Sequence, residues 1–261
     1  MTRYSAMFES CAAANEGAFG AFLMLGDPDL ATSAKLLDAL VEGGADMVEL
    51  GIPFSDPVAD GPVIQAASVR ALNAGVRTQD CLGLIADFRA KHDEIPIGIL
   101  TYANIVAARG IERFCTKLAE AGVDSLLVAD VPSIEAAPYA AAARTARIDL
   151  VMIAAPNTPR ATLEKIAKLS SGYTYCVARA GVTGADAELS LDHQSLFAAL
   201  GEVGAPSPVL GFGISTPDQV RQALASGAAG VICGSAIVSK VAEGPDAVRA
   251  FVASMKAATR A

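Results

Sequence analysis

Two carboxylates stand close together in this chain in unlike settings. Glu49 lies inside the apolar run Met47-Val48-Glu49-Leu50-Gly51-Ile52, and Asp60 closes the loop Pro53-Phe54-Ser55-Asp56-Pro57-Val58-Ala59 that follows. Val48, Leu50 and Ile52 are residues of a strand buried on both faces. A glutamate there is costly unless it is hydrogen-bonded or its pKa rises until it carries a proton near neutrality. Pro53, Pro57 and Pro62 restrict the loop backbone, so Asp60 can be held in place. Carboxyls pushed towards different pKa values are the pattern of an acid and a base. Asp60 also precedes Gly61-Pro62 and a helical pattern, so helix capping stands as its alternative role. Asp27 and Asp130 are each followed closely by proline, and turn formation is expected of both.

A second constellation lies near the end of the chain. Gly211-Phe212-Gly213-Ile214-Ser215-Thr216 and Gly234-Ser235-Ala236-Ile237 each follow an apolar run, and the second opens a helix. Glycines let backbone approach a ligand, and a helix start presents unpaired N–H groups to an anion. Turn glycines alone are the alternative reading. Other chemistries fit poorly. With only two histidines, His92 and His193, both expected at the surface, a metal triad or a Ser-His-Asp arrangement is not credible. The seven lysines fall in or beside helical patterns, which disfavours a Schiff base. Acid–base chemistry by carboxylates on a phosphorylated small molecule remains. Tyr102 and Tyr175 are either walls of such a site or plain core.

The elements that must hold these residues alternate along the chain. A leading helix over 4–16 precedes a strand over 18–25. Further strands are expected near 47–52, 96–102, 125–129, 150–154, 173–177, 208–211 and 230–233, with helical patterns between them and a glycine-rich loop at 179–186. Gly44-Ala45-Asp46, Gly122-Val123-Asp124 and Gly227-Ala228-Ala229 repeat one helix-to-strand turn. Eight strand–helix alternations favour one closed (β/α)8 TIM barrel, an α/β fold with an extra N-terminal helix, over residues 1–261 as a single domain. An open doubly wound sheet is the alternative, but no Gly-x-Gly-x-x-Gly follows the first strand. In such a barrel the loops after strands seven and eight commonly bind phosphate.

Composition agrees. The chain has 261 residues, 52% hydrophobic and 18% charged, with a formal net charge of -8. That balance argues against nucleic acid or an anionic membrane as partner. No leader peptide or membrane-length apolar run is evident. Five scattered cysteines without a Cys-x-x-Cys pair read as reduced thiols of a cytoplasmic protein.

The motifs Glu-Leu-Gly-Ile-Pro-Phe-Ser-Asp-Pro-x-Ala-Asp-Gly-Pro at 49–62, Leu-Val-Ala-Asp-Val-Pro at 127–132, Arg-Ala-Gly-Val-Thr-Gly at 179–184, Gly-Phe-Gly-Ile-Ser at 211–215 and Gly-Ser-Ala-Ile-Val at 234–238 closely resemble the alpha chain of tryptophan synthase. The resemblance covers essentially the whole chain. It implies a lyase that cleaves indole-3-glycerol phosphate to indole and glyceraldehyde 3-phosphate without a cofactor of its own. It also implies docking on a beta chain that carries pyridoxal phosphate, in an alpha2beta2 complex. By the same resemblance Glu49 is the acid/base and Asp60 the acceptor for the indole N–H. Thr183 is implied as the loop residue that closes against Asp60, with Tyr175 in the active site. Phe22, Ile64, Leu100 and Leu127 are implied around the indole, and Gly184, Phe212, Gly213, Gly234 and Ser235 at the phosphate. Pro53, Asp56, Pro57 and Asn104 fit the docking surface. Ala107-Ala108 and Met24 depart from the family's pattern. Another phosphosugar barrel, a stand-alone indole-releasing lyase, or a docking module without activity are the competing readings.

Overall fold

A computed structural model describes residues 1–177 and 193–260. Nine parallel segments make one sheet: β1 Ala18–Met24, β2 Met47–Gly51, β3 Ile97–Thr101, β4 Ser125–Val128, β5 Asp149–Leu150, β6 Met152–Ala154, β7 Thr174–Val177, β8 Pro208–Gly211 and β9 Gly230–Cys233. Their order is β5-β4-β3-β2-β1-β9-β8-β7-β6. The two ends of that order are successive pieces of one strand, so the chain closes the ring through Val151. This corrects the expectation of an unbroken strand over 150–154. β5 pairs with β4 and β6 with β7, and Val151 between them donates its N–H to Leu126 at 2.9 Å.

The strands form because their runs are apolar and flanked by turn residues, and β1, β2 and β3 are buried along their whole lengths. The helices cover them outside, each burying one stripe; Phe114, Cys115 and Leu118 do so for Ile111–Glu120. Three details depart from the sequence reading. A short helix, Ala103–Ala107, follows β3, and the helix expected from 134 starts as Ala137–Ala146. His193 is buried, with its ring stacked on Phe197 at 5.9 Å, and His92 is half-buried against Asp38. All five cysteines are free and buried.

The repeated Gly-x-Asp turn has a physical cause. Asp46 donates its N–H to Phe19 O while its Oδ2 accepts Phe19 N–H at 2.7 Å. Asp124 does the same with Ile97, its Oδ2 accepting at 2.8 Å. Each aspartate thus caps the start of the neighbouring strand. Asp124 also pairs with Arg89 at 2.7 Å and Arg3 at 2.9 Å, tying the leading helix, Thr78–Lys91 and two strands together. Asp124→Ala removes all three contacts and leaves a largely buried guanidinium; a loss of about 3 kcal/mol is expected in urea unfolding. A change under about 0.5 kcal/mol would mean that the staple carries nothing.

Candidate active site

β2 places Glu49 in register between Phe22 of β1 and Gly98 of β3. Side chains alternate across a strand, so Glu49 faces the barrel interior with Phe22 and Leu100 near its catalytic end. A cavity there is lined by Phe22, Glu49, Asp60, Ile64, Leu100 and Tyr175 on one side, and by Phe212, Gly213, Gly234 and Ser235 on the other.

Glu49 is 3% exposed. Burial lifts its carboxyl to about 8; a hydrogen bond from Tyr173 opposes the rise and the nearby Asp60 charge adds to it. Tyr173 Oη donates to Glu49 Oε1 at 3.1 Å. The Tyr173 ring packs on Tyr4 at 5.3 Å, and the Tyr4 hydroxyl lies 2.8 Å from Ser125 Oγ. Gly98 makes this stack possible, since a Cβ there would lie 3.0 Å from Ser125 Oγ and 3.1 Å from Tyr4 Oη. The leading helix Arg3–Ala13 therefore supports Glu49 from below.

Asp60 does not cap the helix Pro62–Asn73, whose N-cap is Gly61 without a side-chain bond. The Tyr102 hydroxyl lies near its carboxyl and accepts Ala59 N–H at 3.2 Å. Burial raises the Asp60 carboxyl to about 6, against the lowering effect of Tyr102. Near neutrality Glu49 therefore holds its proton and Asp60 is largely ionised. One carboxyl can deliver a proton while the other balances positive charge.

The helix bearing Ile64 is fixed further along by Arg70. Its guanidinium binds both oxygens of the buried Asp27, at 2.7 and 2.8 Å. Asp27 is thus an anchor for that helix and not only a turn residue. Met24 lies beneath the same helix, where Ser68 Oγ approaches its sulfur at 3.8 Å and accepts Phe54 N–H at 3.0 Å.

Phe212 and Gly213 leave β8 with φ of 61° and 96°, a left-handed pair that turns the chain sharply. The turn sets the Phe212 ring edge-on to Tyr175 at 5.6 Å. Opposite it, the helix Ser235–Lys240 begins at Gly234. The first N–H groups of a helix have no partner within it. Among the described residues no lysine or arginine lines this cavity; what they offer an anion there is N–H groups and the hydroxyls of Ser215, Ser235 and Ser239. Gly211 admits Tyr175: a Cβ would lie 2.1 Å from its hydroxyl. Gly211→Ala should displace that ring and lower kcat/KM about tenfold in steady-state assays, the usual scale of an overpacked core site. Unchanged kcat/KM would show that Tyr175 sits elsewhere when substrate is bound.

Most of the residues singled out from sequence thus converge here. Leu127 does not line this cavity; it pairs with Leu100 and lines a neighbouring one. Thr183 and Gly184 lie outside the described residues. Of the docking residues, Asp56 and Asn104 are exposed, Pro57 is half-buried and Pro53 is buried. Sequence reasoning missed Tyr173, Val63, Ser215 and Ser239. Only Ser215 had a signal, its place in the Gly-Phe-Gly loop.

Fold and site define a (β/α)8 barrel with two buried carboxyls facing a glycine- and serine-lined edge of one cavity. The sequence profile of the tryptophan synthase alpha chain matches residues 8–261. The tryptophan synthase alpha chain of Shewanella amazonensis is 51% identical over 266 residues, covering 99% of this chain and 100% of that protein. That of Francisella tularensis is 47% identical over 264 residues, covering 98% of each. A structure of Mycobacterium tuberculosis tryptophan synthase superposes with a TM-score of 0.91 at 33% identity, covering 100% of this chain and 99% of that one. The chain belongs to the tryptophan synthase alpha chain family. It is a lyase of tryptophan biosynthesis that cleaves indole-3-glycerol phosphate to indole and glyceraldehyde 3-phosphate.

Proposed function

We propose that Glu49 carries the protons of this cleavage. Protonated Glu49 gives its proton to indole C3, which turns the ring into an iminium-like electrophile. The C–C bond to the side chain then breaks, its electrons return to the ring, and Glu49 takes the proton of the adjacent side-chain hydroxyl as the aldehyde forms. No net proton is gained or lost. Asp60 accepts the ring N–H and balances the positive charge that grows there. Phe22, Ile64, Leu100 and Tyr175 clamp the ring, and Phe212, Gly213, Gly234 and Ser235, with Gly184, hold the phosphate. Thr183 closes against Asp60. The observation that carries this reading is the burial of both carboxyls in one cavity, with Tyr173 hydrogen-bonded to Glu49.

The chain acts as one barrel unit in the cytoplasm, with no cofactor of its own, docked on a beta chain that carries pyridoxal phosphate in an alpha2beta2 complex. Supporting the docking, Val58 and Ile134 are 71% and 74% exposed on loops after β2 and β4. They accompany Asp56, Pro57 and Asn104, and exposed apolar groups rimmed by polar ones mark interfaces. No helix among the described residues is long and apolar enough to cross a membrane. The test is indole release from indole-3-glycerol phosphate with and without a beta chain. Weak activity that rises strongly with the partner supports the subunit role. High activity indifferent to it makes the chain a free-standing lyase and gives the exposed Ala107-Ala108 pair a meaning.

A further inference from the structure

Three non-glycine residues among those described adopt the left-handed region: Asn15, Arg147 and Phe212. Asn15 and Arg147 close helices, where that conformation is common. Phe212 leaves a strand instead, and a bulky residue stays strained in this way only where its surroundings hold it. The loop from Phe212 to Thr216 joins β8 to the helix Pro217–Ala225. Among the described residues, no bond between main-chain groups ties 212–215 to another element. The loop is held by a side chain. Gln219 Oε1, in the first turn of that helix, accepts Ser215 N–H at 2.7 Å, Ser215 Oγ–H at 3.0 Å and Thr216 N–H at 3.1 Å. From the core side the loop is pinned by Ile214, which is buried.

We propose that Gln219 is the positioning residue of the anion-binding edge. Its amide oxygen fixes the loop after β8, so that the turn at Phe212 and Gly213 presents main-chain N–H to a phosphate. Gln219 does not line the cavity and acts through the loop. The proposal rests on the placing of the phosphate at Phe212, Gly213, Gly234 and Ser235. Helix capping accounts for part of the pattern: Thr216 N–H bonds to Gln219 Oε1, and Gln219 N–H bonds to Thr216 Oγ1 at 3.3 Å. The two bonds from Ser215 reach past that cap into the loop, and no cap requires them. An amide suits this task, because its oxygen accepts several donors without carrying charge. A carboxylate would accept the same donors but set a negative charge behind the seat of the anion. An apolar side chain would leave two N–H groups without their acceptor and free the strained turn to relax.

The test compares two ligands on the full chain by titration calorimetry: indole-3-propyl phosphate and the neutral alcohol indole-3-propanol. Gln219→Met keeps the length and helix preference of the side chain but removes the acceptor. It should bind the phosphate ester about tenfold more weakly and the alcohol within about twofold of the parent. In turnover its KM should rise by the same factor with kcat little changed. Gln219→Ala should give the same split, so the result does not hang on one variant's folding. Ester affinity equal to the parent's in both variants overturns the proposal. So does an equal loss for ester and alcohol, which would mark a general loosening of the barrel. A parent chain that binds the ester no more tightly than the alcohol contradicts the phosphate site itself and leaves Gln219 no anion to serve.

Discussion

Glu49→Gln is expected to release indole about 10²- to 10⁴-fold more slowly, because the transferable proton is gone while shape and hydrogen bonding persist. The same substitution should raise thermal stability above neutral pH. The folded carboxyl titrates at about 8 against an ordinary 4.5. Between those values the folded chain keeps a proton that the unfolded chain has lost. The stability this site contributes is therefore complete below the ordinary value and is lost as pH rises through about 8. Glutamine never ionises and escapes that loss. The variant should accordingly melt higher than the parent at pH 9, with an unfolding free energy greater by on the order of a few kcal/mol, and the two curves should meet near pH 4. Calorimetric scans across this range check it. Near-normal turnover would refute the proton-carrier role, and equal melting at pH 9 would refute the buried neutral carboxyl. Lost activity combined with gained stability is not expected of a residue that merely supports the fold.

Ser235→Asp should raise KM for indole-3-glycerol phosphate roughly a thousandfold, since like charges about 4 Å apart cost ~4 kcal/mol near a protein surface. Among the described residues no basic side chain lines the cavity to absorb the added charge. Folding should not suffer: an acidic residue at the first position of Ser235–Lys240 suits the helix dipole. Steady-state kinetics at saturating and limiting substrate separate the terms, with kcat changing far less than KM. An unchanged KM would move the phosphate away from Gly234 and Ser235.

Much of this site is legible in the sequence because its signals are local. A glutamate in an apolar strand, an aspartate among three closely spaced prolines and glycines at two strand ends each declare their environment within a few residues. The support of Glu49 is not local. Tyr173 lies 124 residues away and reads as an ordinary core tyrosine until β7 brings its hydroxyl to Oε1. Arg70 and Asp27 are likewise joined only through the packing of Pro62–Asn73 on the end of β1. The split of the fifth strand leaves no mark in the apolar run 150–154, because it depends on which neighbour each half pairs with. His193 misleads for a related reason: a polar residue after a glycine-rich loop suggests the surface, whereas its ring is buried against Phe197.

The claim that Glu49 is a proton carrier is tested most directly by titrating its carboxyl in the ligand-free chain. Carbon-13 labelling of glutamate, with Glu49→Gln to assign the resonance, follows that one group through pH 3 to 10. The account predicts a midpoint near 8. A midpoint near 4.5, the ordinary value, would leave Glu49 ionised at neutrality and contradict its role as the acid.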